Sequence, residues 1–251
     1  MTVGAWTYDV IAKATRNYCS MPSMSQLSSA NLLAQINRYY RWVLPTDLRP
    51  MQLQSWYQVT LSSGDANYHL VQTNTSTTFY NQYSVLGSLA YVSKTSSTID
   101  GIAVGYKEDK IDVYFEPSSF YEMWPDNKDY NATANLGQPS GVLVYNNYLL
   151  FRKSPDDTYY FSIEAWRRPR VNWAVVGEAI VYVDYFSGNT DRPQVDEWGN
   201  LIALGTAKQI LLELGDDESM QRVEGMYQRE LSRINSQTLL WQSSRRPAPK
   251  F

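Results

Sequence analysis

Cysteine occurs once in these 251 residues, at Cys19, and histidine once, at His69. One cysteine excludes an internal disulfide framework and the spacing of a zinc finger. One histidine removes His-pair metal sites, and no cofactor or metal is expected. No run approaches the roughly 18 apolar residues of a membrane span, so no membrane partner is expected. Met1 to Gly4 lacks the charged, then apolar, pattern of a signal peptide. The net charge is −3, so no global basic field recruits nucleic acid. Gly101 and Gly105 belong to neither a P-loop nor a dinucleotide fingerprint. These absences lead to the expectation of a soluble chain made in a reducing cytoplasm.

Hydrophobic residues make up 43% and charged residues 19% of the chain, which is ordinary globular material. Tyrosine is conspicuous with 20 copies, beside eight tryptophans. Such rings serve either a tyrosine-rich β core or an interface.

The opening segment reads as a helix. Thr7 is a candidate N-cap, and Trp6 with Ile11 forms a hydrophobic staple. Ile11, Ala14 and Tyr18 then share a face. A second helix is expected from Ser28, with Leu32, Ile36, Tyr39, Tyr40 and Val43 at helical spacing and Pro45 as its stop.

From Met51 the period changes. Leu53, Ser55, Tyr57, Val59 and Leu61 alternate before a Ser63-Gly64-Asp65 turn. Ile111, Val113 and Phe115 alternate likewise. Val142–Tyr145 and Tyr148–Arg152 flank Asn146-Asn147, a two-residue loop able to take positive φ. With Tyr159–Trp166 they predict a meander of three strands. Thr73–Thr78 and Ser93–Thr98 read as long loops, and Ala174–Phe186 as a strand, with a helix as the alternative.

Two amphipathic helices close the chain. The first spans Val195–Leu214, with Gly215 suited to the C′ position. The second runs from Asp217 to about Trp241. Its seam of Val223, Tyr227, Leu231, Ile234 and Trp241, recurring at steps of three and four, is heptad-like and is expected to pack in a bundle or between subunits. The fold class expected is α+β: a helical bundle formed by the N- and C-terminal helices, a large inserted antiparallel β domain, and an extended C-terminal tail. The domains would be 1–49, 50–193, 194–243 and 244–251.

The chemical constellations are weak. Glu116, Glu122 and Glu164 could supply the paired carboxylates of a glycosidase, but any acidic chain offers such pairs. Asp156-Asp157 and Asp216-Asp217-Glu218 read as a hairpin turn and a helix start. Arg167, Arg168 and Arg170 form a basic cluster at a strand end, either solvated or in contact with an acidic partner or DNA phosphates. The tail carries Arg245, Arg246, Pro247, Pro249, Lys250 and Phe251. Proline-spaced segments lose little entropy on binding, so this end reads as a docking peptide. No enzymatic activity is expected.

One pattern of anchors brings a family into view: Gln26-Leu27-Ser28, Ile36-Asn37-Arg38-Tyr39-Tyr40, Leu44-Pro45 and Leu48-Arg49, then Phe120-Tyr121-Glu122-Met123-Trp124-Pro125, and finally Trp198 to Ala207 with Gly215-Asp216. It resembles the head-to-tail connector proteins (adaptor or neck proteins) of tailed bacteriophages, with Ala174–Pro193 as an addition. The resemblance implies a structural virion protein that forms a ring, usually of twelve copies, beneath the portal protein. Such a ring extends the DNA channel, touches translocating DNA without sequence preference, and offers the surface to which the tail or nozzle attaches. In the short-tailed phage members the C-terminal segment reaches the portal, which implies that Ser244–Phe251, with Arg245, Arg246, Pro247, Pro249, Lys250 and Phe251, docks there. The competing reading is a carbohydrate- or receptor-binding tail module using exposed Tyr and Trp.

Overall fold

A computed structural model describes residues 6–21, 23, 25–48, 53–70, 79–94, 96–99, 102–105, 109–125, 135–176 and 179–244. The backbone alone is described at 80–81, 96–99, 102–105, 173–176, 179–181 and 237–244. The chain divides into two compact units, Met1–Leu53 with Arg168–Phe251, and Gln54–Arg167.

The first unit opens with α1 (Tyr8–Tyr18), α2 (Ser29–Arg38), a π-helical turn (Tyr39–Val43) and α3 (Leu44–Asp47). Ser28 starts α2, its hydroxyl accepting the Asn31 N–H at 3.2 Å. Thr7 precedes α1 in an extended conformation but makes no side-chain cap. Pro45 does not stop the second helix. The π-turn carries the chain past Arg38, and Pro45 sits in the first turn of α3, where its missing N–H costs nothing.

In the second unit come β1 (Gln54–Leu61), β2 (Asn67–His69), α4 (Phe79–Gln82), β3 (Tyr83–Ser93), β4 (Ser96–Ile99), β5 (Ile102–Gly105), β6 (Asp109–Tyr114), α5 (Pro117–Met123), β7 (Gly141–Tyr145), β8 (Tyr148–Arg152) and β9 (Tyr159–Arg167). Seven of these strands form one sheet in the order β1-β9-β3-β6-β7-β8-β2. Period-two alternation sets its inner face: Phe161, Ile163 and Ala165 of β9 are fully buried, while Tyr160, Glu164 and Trp166 are half-buried. Asn146 and Asn147 close the β7–β8 hairpin with φ of 47° and 65°, the left-handed values of a primed turn. Two expectations fail here. β9 does not continue the β7–β8 hairpin as a meander but pairs with β1 and β3. Ser96–Ile99, within a stretch expected to be loop, pairs with Ile102–Gly105. The expected loop at Thr73–Thr78 lies outside the described residues.

The chain returns to the first unit through β10 (Val171–Val176), β11 (Ala179–Val183), β12 (Arg192–Pro193), a 3-10 turn (Asp196–Trp198), α6 (Gly199–Leu214) and α7 (Asp217–Ser244). The expected single element at Ala174–Phe186 is thus the β10–β11 pair, antiparallel with a bulge between Asn172 and Ala174. Gly215 ends α6 at φ 72°, the left-handed cap that spares a Cβ clash.

A helical bundle carrying an inserted antiparallel β domain is not what this chain forms. The helices share their unit with the sheet β11-β10-β12. The Asn37 side-chain amide donates to Phe186 O at 3.0 Å and accepts the Phe186 N–H at 2.8 Å, tying α2 to the segment after β11. The large sheet is mixed, because β6 and β7 run parallel. The fold is mixed α+β in both units, and no described helix is long and apolar enough to cross a membrane.

α6 is the spine of the first unit. Leu201 to Ala207 are buried without a break, the all-round burial of a central helix. The α1 face meets it through Thr15 Oγ1, which donates to Ala203 O at 3.5 Å, and through buried Cys19. Burial pushes the Cys19 thiol up from its ordinary 9.0 to about 11. The unfolded chain would therefore release this proton between pH 9 and 11 while the folded chain keeps it, so stability falls as pH rises through that window. The full shift corresponds to about 2.7 kcal/mol, of which about 2 kcal/mol is lost between pH 8 and 10.5. Urea unfolding at pH 8 and 10.5 should show a decline that is smaller by about this amount in Cys19→Ala.

Candidate functional site

The C-terminal hairpin and its surroundings hold most of the predicted site residues that the structure describes. Val223, Tyr227 and Ile234 of α7 are buried within the chain, and Leu231 is half-buried. That seam packs along α6 and is internal to one copy. Trp241 lies on α7, but its side chain is outside the described residues, as is the whole of Arg245, Arg246, Pro247, Pro249, Lys250 and Phe251.

A buried polar hub that periodicity does not reveal locks this seam. The Tyr39 hydroxyl donates to the Tyr227 hydroxyl at 3.0 Å, and Tyr227 donates to Asp47 Oδ2 at 2.6 Å. Burial holds both phenols well above their ordinary pKa, with Asp47 adding to the effect, so the relay stays protonated at physiological pH. Lys208 pairs with Glu224 at 2.7 Å and lies 5.1 Å from the Tyr227 ring centre. Tyr227→Phe leaves the buried Tyr39 hydroxyl without its acceptor, while exposed Asp47 regains water. A loss of about 1–2 kcal/mol is expected, measurable by chemical denaturation at unchanged m-value.

Arg167, Arg168 and Arg170 each have contacts of their own. Arg167 ends β9, and its guanidinium lies 5.8 Å from the Tyr83 ring centre. Arg168 donates to Arg41 O at 3.1 Å and stacks 4.1 Å from the ring centre of exposed Trp42. Burial, then the Arg41 charge, lowers the Arg168 pKa, without removing its charge at neutral pH. The Arg170 backbone O accepts from the Tyr40 hydroxyl at 2.7 Å, and its N–H donates to Gln194 Oε1 at 3.0 Å. Arg41 is buried, donates to Pro169 O at 3.3 Å, and pairs with Asp184 at 3.0 Å. The sequence signal that could have found this anchor was Tyr39-Tyr40-Arg41-Trp42, whose rings and charge fit no single helical face.

The carboxylates considered for hydrolysis have structural neighbours. Glu164 on β9 accepts from Gln54 and fills the space that Gly87 leaves open. Glu116 precedes α5, and Glu122 lies within it. Asp156 accepts from the Tyr159 hydroxyl at 2.7 Å, which lowers its pKa. Asp216 accepts the Ser219 N–H at 3.1 Å at the start of α7. His69 packs on Tyr148 with ring centres 4.5 Å apart. Among the described residues no group of three metal-ligating side chains converges.

Among the described residues, clefts open in the first unit. One, of about 410 Å³, lies between Trp6, Asp196, Asn200, Glu230 and Arg233. Glu230 and Arg233 close one wall as an ion pair at 2.7 Å. The other, of about 300 Å³, runs between α2 and the end of α6, over Leu27, Ala34, Ile210 and Leu214. Gln35 and Arg38 hold its rim by donating to the Glu213 carboxylate at 2.8 and 2.9 Å. The surface around this second cleft is an assembly of one apolar trough, two exposed leucines (Leu212 and Leu214) and an acidic corner. Neither a family model nor a curated protein matches this chain.

Proposed function

We propose that this chain is a structural virion protein, a head-to-tail adaptor that forms a ring between portal and tail, lengthens the DNA channel and offers the tail its attachment surface. Its place would be the virion neck. The observation that carries the reading is the unequal C-terminal hairpin. α6 has 16 residues and α7 has 28, so their lengths are about 24 and 42 Å. Glu230 and Arg233 of α7 already lie beside Asn200 in the first turn of α6. α7 therefore continues past its partner helix, and the basic, proline-spaced residues follow it in the sequence. A rigid arm with a docking sequence at its tip suits a part that joins other parts. The resemblance in the N-terminal and α6 segments names the assembly. Translocating DNA would make only weak, sliding contact with a bore of low positive charge, since tight phosphate binding would hold the duplex.

Electron microscopy of the protein mixed with its portal tests the reading. A ring of added density beneath the portal is expected, and a bare portal at saturating protein sinks it. The second reading, a glycan-binding tail module, draws on one observation. Tyr145 and Tyr148 face each other across the hairpin turn and are exposed, with His69 packed on Tyr148. A glycan array with no signal above background removes it.

A further inference from the structure

We infer that the cleft between α2 and the end of α6 is the receptor for the C-terminal tail of a second copy of this chain, with Phe251 in the apolar trough and the tail cations on the acidic corner beside it. The inference names a contact within the proposed ring and rests on that reading for a second copy to be at hand.

Chemistry and length carry the argument. Leu27, Ala34, Ile210 and Leu214 give the trough an apolar part beside Gln26, Asn31, Gln35 and Glu213, and its volume of about 300 Å³ leaves room for one aromatic side chain. Leu214 is 57% exposed in the single chain, so a covering group would remove substantial apolar surface from water. Directly beyond it come Asp216, Asp217 and Glu218, all exposed. The tail offers the complement in the same compass: Arg245, Arg246 and Lys250 with a terminal Phe251.

Reach then decides whose tail it is. The trough adjoins the corner where α7 begins, and the tail leaves where α7 ends, 28 residues later. Val223, Tyr227 and Ile234 are buried along this helix, and the helix spans about 42 Å. Seven extended residues cover at most about 25 Å. The tail of the same chain falls about 17 Å short of its own cleft. A neighbour placed head to tail has no such deficit, and a heterologous contact of this kind closes into a ring when its rotation permits.

The test uses full-length protein with the photo-crosslinking substitution Phe251→benzoylphenylalanine. Isotopically heavy and light copies are mixed, alone at high concentration and with portal, and crosslinked peptides are mapped by mass spectrometry. Mixed heavy–light crosslinks from position 251 to 27–34 or 210–214 are expected. Leu214→Asp, at an exposed position, should cut their yield at least tenfold with unchanged melting. The pair Arg245→Glu and Arg246→Glu should do likewise, and Asp217→Lys with Glu218→Lys on the receiving copy should restore it. Crosslinks confined to the portal, to the same copy, or to other surfaces overturn the inference. A ring seen with such crosslinks leaves the adaptor reading standing without it. Mixed crosslinks at the cleft without any ring on the portal leave the inference standing and remove the adaptor reading.

Discussion

A chain ending at Ser244 is expected to fold normally and to fail in assembly. The described core of the first unit is built by residues up to Ile234, and seven proline-spaced residues cannot form a core of their own, so folding is expected to survive the loss of Arg245–Phe251. Thermal melting should therefore move by less than a degree or so. Attachment is another matter. Interfaces concentrate their free energy in a few aromatic and arginine anchors, each worth about 2 kcal/mol or more when removed. The tail carries two arginines and a terminal phenylalanine. Losing even one such anchor weakens binding roughly thirtyfold, and a ring repeats that loss at every joint. Size-exclusion chromatography and electron microscopy of portal mixed with full-length or shortened protein would read the difference. Equal occupancy of the two proteins would show that this end is not an anchor for either portal or neighbour.

Gly205→Ala is expected to destabilise the first unit although alanine is the better helix former. In an exposed helix interior the change would stabilise by up to about 1 kcal/mol. Here α6 passes directly under the Tyr39 ring, and a Cβ at position 205 would overlap the ring and its hydroxyl. Tyr39 has no retreat, since it is buried and its hydroxyl is fixed to Tyr227. Overpacking a close-packed core costs about 1–3 kcal/mol, and so direct an overlap belongs at the upper end. The net loss expected is about 2 kcal/mol, or about 4–8 °C in Tm for a chain of this size. A double-mutant cycle isolates the cause. Tyr39→Ala empties the space that the new methyl needs, so the double variant should lose less than the sum of the singles. Strict additivity would place the cost elsewhere, and a rise in Tm for Gly205→Ala would refute the close approach.

What could be read from the residues was local chemistry. The Asn146-Asn147 turn, the Ser28 cap and the Gly215 stop each need only their neighbours, and each takes the backbone form its residue type favours. Strand order was not legible. β9 lies between β1 and β3, each paired with it across long stretches of chain, and alternation says which face is buried but not which edge is adjacent. The bundle expectation failed for the same reason. Val171 and Phe186 are apolar in any arrangement, and nothing in their spacing tells that they belong with the helices. The candidate surface was half legible. Its acidic corner was read only as a helix start, because the trough beside it exists only once Leu27 and Ala34 of one segment meet Ile210 and Leu214 of another. Arg41 shows the converse: a charge that the sequence would send to solvent is buried against Asp184 and Pro169.

The π-helical turn at Tyr39–Val43 makes the chain's exact residue count at that point a structural quantity. A wider turn accommodates one residue more than an α-helix of the same rise, and here Tyr39, Tyr40 and Arg41 are buried one after another, to the Tyr227 hydroxyl, the Arg170 carbonyl and Asp184 in turn. Deleting any one residue from this stretch would let the helix run on as regular α. The helix on either side would keep its register, but the stretch would hold one side chain fewer on the same turn, so the three separate attachments could not be met together. Homologues that keep these three attachments should therefore vary here by substitution and never by length.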